Sequence, residues 1–125
     1  MKSENEVEAQ CIAWLQQHGW LPIRQNVGFL WTGDETRKIR VGKVGQCDWL
    51  FLRPMTHQLG PAMLELECKA EGVILSPNRK DDKRQLEYIA LRNYQGVPAA
   101  WVNSVEMLEG WYHERRLDRP WRQAA

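Results

Sequence analysis

The residues best equipped for chemistry lie in two short stretches, GQCDWL at 45–50 and LELECKAEG at 64–72. In the second, Glu65, Glu67 and Lys69 alternate with Leu64, Leu66 and Cys68. A strand sends alternate side chains to opposite faces, so the three charges share one face and the apolar set takes the other. In the first stretch Asp48 sits near the start of a strand, just after a glycine-rich approach. If the two strands form a hairpin, Asp48 faces the Glu67 end of its partner, with Lys69 beside it. Two converging carboxylates are costly to bury unless something cationic joins them. A hard divalent ion, Mg²⁺ or Mn²⁺, suits such an oxygen site. That ion can polarise a phosphoryl oxygen and acidify a bound water, which the lysine can place or deprotonate, and the chemistry would be phosphodiester hydrolysis. Plainer readings exist. The charges could be the solvated face of an antiparallel sheet, Asp48 could merely cap a strand, and Lys69 could merely pair with Glu67.

The elements that must position these residues are legible in outline. Ser3 with Glu6 three residues on reads as a capping box. Val7, Cys11, Trp14, Leu15 and His18 then recur at helical spacing until Gly19, which predicts a helix over 4–18. Residues 20–27 read as a strand, followed by strand-like pieces at 29–32 and 38–41. Gly42 and Gly45 break the chain before a strand at 47–53, and the turn 54–61 joins it to a strand at 62–70. Ser76-Pro77 opens a second helix over about 77–95, with Leu86, Ile89, Ala90 and Leu91 facing inward, and Gly96 ends it. The short apolar run 97–103 reads as a buried strand. A last short helix at 105–110 and a polar tail follow. The order α-β-β-β-α-β, with a helix crossing between the third strand and the last, predicts an α/β fold with a mixed sheet flanked by helices.

Composition sets the class. The 125 residues suit one domain, and 43% hydrophobic with 26% charged residues is ordinary for a globular protein. No apolar run is long enough to span a bilayer and the acidic N-terminus is unlike a signal peptide, so the expectation is a cytoplasmic protein with no membrane partner. Three cysteines, Cys11, Cys47 and Cys68, are an odd number without CxxC spacing, which predicts buried thiols instead of a disulfide framework. The three histidines form no zinc pattern. The net charge of +1 is unremarkable, but its distribution is uneven. Arg37, Lys38, Arg40 and Lys43 crowd one segment, Arg79, Lys80, Lys83 and Arg84 a second, and the tail holds a third. Basic patches set apart from an acidic cluster suit a protein that grips phosphates and holds a cation between them, although any one such run can be only a solubilising surface. Of the seven tryptophans, Trp14, Trp49 and Trp101 fall on elements predicted to be buried. Trp31, Trp111 and Trp121 are the candidates for stacking.

Asp48 followed by Glu67-Cys68-Lys69 resembles the D…(D/E)xK signature of the restriction-endonuclease-like PD-(D/E)XK nucleases. The surrounding pattern is more specific. SENEVEAQCIAWLQQHGW, then Arg24-Gln25-Asn26-Val27-Gly28, then Gly42-Lys43-Val44-Gly45-Gln46-Cys47-Asp48 resemble the virus-type replication-repair nuclease (VRR-NUC) domain. Leu75-Ser76-Pro77 with Gln85 downstream resembles that family's "LSP…Q" segment. The resemblance spans about residues 3–105, leaving 106–125 as a C-terminal extension of a single domain. It implies Asp48 and Glu67 as metal ligands with the backbone carbonyl of Cys68, Lys69 orienting the attacking water, and Gln85 near that water or the scissile phosphate. The family's helix-one glutamate falls on Glu4, holding the metal through water. Glu8 stands where the family commonly has glutamine, shares the helical face of Glu4 and is the alternative. Cys47 replaces a proline that often precedes the aspartate. Arg24 lies near the active-site edge in the family's layout, and Arg24, Arg37, Lys38, Arg40 and Lys43 are the expected DNA contacts. Glu65, off the motif, either supports the site from behind or faces solvent. The resemblance further implies Mg²⁺- or Mn²⁺-dependent cleavage of DNA, branched structures such as four-way junctions or flaps foremost, by a homodimer from a bacterial or phage source. A nuclease of linear duplex and a DNA-binding module on a nuclease-like fold are the alternatives.

Overall fold

The computed structural model describes residues 1–25, 28–31, 38–41, 45–54 and 61–118, and for 28–31 and 38–41 the backbone alone. The described elements run α1 (Glu4–Gln17), β1 (Leu21–Arg24), β2 (Gly28–Trp31), β3 (Lys38–Val41), β4 (Trp49–Leu52), β5 (Met63–Cys68), α2 (Lys80–Tyr94), β6 (Ala99–Val102) and α3 (Val105–Glu114). Ser3 caps α1, its hydroxyl accepting from the Glu6 amide at 3.2 Å. The main sheet has the order β1-β4-β5-β6, while β2 and β3 pair in a two-stranded sheet of their own. β1, β4 and β5 are antiparallel neighbours, and β6 joins β5 in parallel after the crossover through α2. The architecture is therefore α/β, with a four-stranded mixed sheet flanked by helices.

The alternation along β5 decides what each side of the sheet packs against. Leu64 and Leu66 stand beside Phe51 and Trp49 of β4, and Leu66 and Cys68 beside Ala100 and Val102 of β6. This apolar face closes on Val7, Cys11 and Leu15 of α1 and on Leu108 and Tyr112 of α3 to form the core. Glu65 and Glu67 belong to the opposite face, which α2 covers. Both are 2% exposed, so β5 is buried on both sides although only one side is apolar.

The strands of the main sheet are shorter than the sequence expectation, and two helix boundaries differ from it by three residues or more. α2 begins at Lys80, not near 77, because the Ser76 hydroxyl accepts from the Asn78 amide at 3.2 Å and holds a turn ahead of the helix. α3 continues through Gly110 to Glu114, since burying Leu108 and Tyr112 outweighs the roughly 1 kcal/mol that a helical glycine costs. The stretch read as an extension thus contributes to the core. Its end is fastened by Arg53, 7% exposed, which donates to the carbonyls of Pro61 at 3.1 Å and Leu117 at 2.5 Å and lies over the Trp20 ring at 4.2 Å. The Tyr112 hydroxyl accepts from the Trp20 indole at 3.0 Å and donates to Asp118 at 2.5 Å.

Candidate metal centre

The approach to Asp48 is shaped by Gly45. Its φ of +82° favours glycine, and a Cβ there would lie 2.5 Å from the backbone oxygen of Arg84, so no other residue lets the chain lie against α2 at this point. Gln25, just past β1, then fixes the next residues. Its backbone amide donates to the Asp48 carbonyl at 2.7 Å, its side-chain amide donates to the Cys47 carbonyl at 3.2 Å, and its side-chain oxygen accepts from Gln46. Cys47 is fully buried, and burial first, then the charges of Glu67, Glu65 and Asp48, push its thiol far up, so it fills space without acting as a nucleophile.

The hairpin register pairs Trp49 with Leu66, which sets Asp48 opposite Glu67, and the Asp48 amide donates to Glu67 Oε1 at 3.1 Å. Lys69 Nζ stands 3.5 Å from Glu67 Oε2. Glu67 is pushed up to about 7, first by burial and second by the charge of Asp48, with Lys69 pulling the other way. The sequence reading placed these three groups together, and the structure brings them together. Gln85 completes the cluster from the first half of α2, and its buried Oε1 has no hydrogen-bond partner among the described residues. Asp48, Lys69, Gln85, Gly45 and Arg84 line a cavity of about 500 Å³. Cys68 turns its side chain into the core, so only its backbone can serve the opposite face.

Among the described residues no three His, Cys, Asp or Glu side chains converge on one point. The side chains on offer are two carboxylates, one of them destabilised as an anion by burial and by the other. That set fits a hydrated divalent ion: Mg²⁺ is typically held by one or two carboxylates and keeps several waters. The orphaned Gln85 oxygen is an acceptor suited to one of those waters.

Glu65 faces neither solvent nor the cavity. Its Oε2 accepts from the Tyr88 hydroxyl at 2.7 Å and from Gln25 at 3.3 Å, and its Oε1 accepts from Arg92 Nε at 2.6 Å. The expectation of a possible solvated group is corrected, because α2 meets β5 with Gln85, Tyr88 and Arg92 and leaves Leu91 and Ala90 outward. Tyr88 is held in its neutral form, burial and its bond to Glu65 both raising it.

No family model, curated protein or solved structure matches the chain.

The remaining candidates separate by position. Glu4 is exposed at the first turn of α1. Glu8 is 14% exposed in its side chain, stands 3.5 Å from Arg24 Nη1, and its charge reaches the Cys68 thiol. Of the two helix-one glutamates, Glu8 is the half-buried one, beside Arg24 of β1, and Glu4 the exposed one. Arg24 is exposed, lies 5.5 Å from the Trp49 ring and remains available at the sheet edge. Lys38 and Arg40 belong to β3, of which only the backbone is described, and Arg37 and Lys43 lie outside the described residues. Gln25, Tyr88, Arg92 and Gly45 are the residues the sequence reading did not assign to the site's framework. Gln85, Tyr88 and Arg92, at spacings of three and four, are the signal that was available for a polar helix face turned inward.

Proposed function

We propose that this protein is a metal-dependent nuclease that hydrolyses DNA phosphodiester bonds. What carries the reading is the pairing of Asp48 with a buried Glu67, beside Lys69 and a Gln85 oxygen that has no partner among the described residues, at a cavity lined by Asp48, Lys69 and Gln85. A fully buried carboxylate pressed by a second one is unfavourable in a purely structural role. Such a pair is explained if its working state includes a cation.

Asp48 and Glu67 would hold Mg²⁺ or Mn²⁺, with the Cys68 carbonyl as the further ligand that the family resemblance implies. When bound, the ion supplies positive charge at a phosphoryl oxygen and acidifies a coordinated water. Lys69, already directed at Glu67, would orient the attacking water through its ammonium group. Gln85 accepts a hydrogen bond from that water and fixes its direction. Glu8, in place of Glu4, would assist from helix one. The four-stranded sheet with its α2 crossover serves as the restriction-endonuclease-like core in this reading, and the VRR-NUC resemblance adds branched DNA as substrate, a homodimer as the working form and the 37–43 segment as a phosphate contact.

The test is a cleavage panel of four-way junction, 5′ flap and plain duplex with Mg²⁺ or Mn²⁺. Cutting that requires metal and is lost in Asp48→Asn supports the nuclease; preference for the junction or flap supports structure selectivity, and preference for plain duplex replaces it. No cutting of any substrate with either ion overturns the reading. Light scattering at micromolar concentration decides the homodimer, and a monomer mass with junction cleavage intact removes it.

A further inference from the structure

We propose that Arg84 is a phosphate-binding residue of the cavity, its guanidinium holding a non-bridging oxygen of the phosphodiester; this rests on the nuclease reading above. The basic residues of the α2 region differ in what they touch. Arg79 pairs with Asp82 at 3.7 Å, Lys83 with Glu87 at 4.0 Å and Arg92 with Glu65 at 2.6 Å. Arg84 lines the cavity with Asp48, Lys69 and Gln85, and among the described residues its side chain has no hydrogen bond or ion pair. Beside Asp48, two further acids line this cavity. Asp82 is engaged by the Ser76 amide at 3.1 Å and by Arg79, and Asp81, three residues before Arg84, forms no ion pair with it. Among the described residues Arg84 is therefore the cation at this cavity not already matched to an anion, whereas Lys69 pairs with Glu67.

Its root is also fixed. The Arg84 peptide packs directly beneath Gly45, whose conformation leaves no room for a side chain between them. The guanidinium thus stands on a closely packed backbone in the lining of the cavity, one residue before Gln85. The planar fork of arginine matches two oxygens of a phosphate, which a lysine point charge does not reproduce.

The experiment compares wild type, Arg84→Ala and Arg84→Lys on one Mg²⁺-cleaved DNA, and measures binding to that DNA and to a version with a neutral methylphosphonate at the scissile position. Arg84→Ala should cut about ten- to a hundredfold more slowly, Arg84→Lys should recover part of the loss, and the stabilisation of the fold by Mg²⁺ should match wild type. Wild type should lose affinity for the methylphosphonate DNA, and Arg84→Ala should bind both DNAs alike. An Arg84→Ala variant that cuts at the wild-type rate overturns the assignment and leaves the nuclease intact. A variant that cuts slowly yet discriminates against methylphosphonate as wild type does also overturns it, since the phosphate contact then lies elsewhere. A wild type that cuts no DNA removes the nuclease reading and Arg84's role together.

Discussion

At one end of β5 the carboxylate of Glu65 accepts three hydrogen bonds, from Tyr88, Arg92 and Gln25. Two residues on, at the Gly45 end, the equally buried Glu67 has a backbone amide and a lysine at 3.5 Å, and it faces a second carboxylate. The strand, the face and the degree of burial are the same; the difference is in how far each charge is satisfied. Glu65 is closed by groups from α2 and the end of β1, and its charge is a fastening between helix and sheet. Glu67 is left short of partners, next to a neighbour that raises its proton affinity. Arg53, at the far side of the core, belongs with Glu65: a buried charge whose donors are taken up by carbonyls, a hydroxyl and a carboxylate. Buried charge alone does not mark a site, whereas buried charge with unfilled capacity does.

The largest expected effect lies at the unsatisfied end. Asp48→Asn or Glu67→Gln should each lower single-turnover cleavage on the order of a hundredfold or more, while circular dichroism and DNA binding stay near wild type. If either variant cuts normally, the Glu67 end is as structural as the Glu65 end and the contrast collapses.

The next effect should appear at the satisfied end, in stability. Glu65→Gln leaves Arg92 without a countercharge and should cost about 2–4 kcal/mol by urea unfolding. Glu67→Gln, measured without metal, should cost nothing or stabilise, because it relieves repulsion with Asp48. Equal losses from the two substitutions would show that both glutamates are fastenings.

How much of this contrast was legible in the sequence can be judged residue by residue. The period-two alternation at 64–69 and the spacing of the hairpin were enough to bring Asp48, Glu67 and Lys69 together, because register follows from strand pattern. Ser3 and the apolar spacing of Val7, Cys11 and Leu15 gave α1 within a residue. The role of Glu65 was not legible, because it depends on Tyr88 and Arg92 arriving from a helix whose inward face is largely polar; apolar periodicity marked the half-buried Leu86 and Ile89 but also turned the exposed Ala90 and Leu91 inward. The separate β2–β3 pairing and the passage of α3 through Gly110 were hidden for a related reason: both are decided by partners distant in sequence, not by local residue preference.

A smaller effect follows from Gly45. Gly45→Ala meets the Arg84 carbonyl and a positive φ at once, and should cost about 1–3 kcal/mol and slow cleavage, since the approach to Asp48 must shift. A variant of unchanged stability and rate would mean that the close approach to α2 does not position the site.

The smallest is a pH dependence. The Glu67 carboxyl has a folded value of about 7, above its ordinary 4.5, so between these values the folded chain binds more protons than the unfolded one. Stability without metal should therefore fall as pH rises from about 4.5 to about 7 and contribute no further slope beyond. Glu67→Gln should remove that part of the slope, and a Glu65→Gln variant should keep it. An unchanged slope in Glu67→Gln would place the titrating group elsewhere.

The most direct test of the contrast is calorimetric titration of Mn²⁺ into wild type, Glu65→Gln and Glu67→Gln at a pH near 7, in buffers of different ionisation enthalpy. Wild type and folded Glu65→Gln should bind Mn²⁺ saturably and release protons as Glu67 gives up its own. Glu67→Gln should bind far more weakly and without that proton release. Absence of binding to wild type, or equal binding and proton release in Glu67→Gln, would contradict the assignment of Asp48 and Glu67 as the cation site.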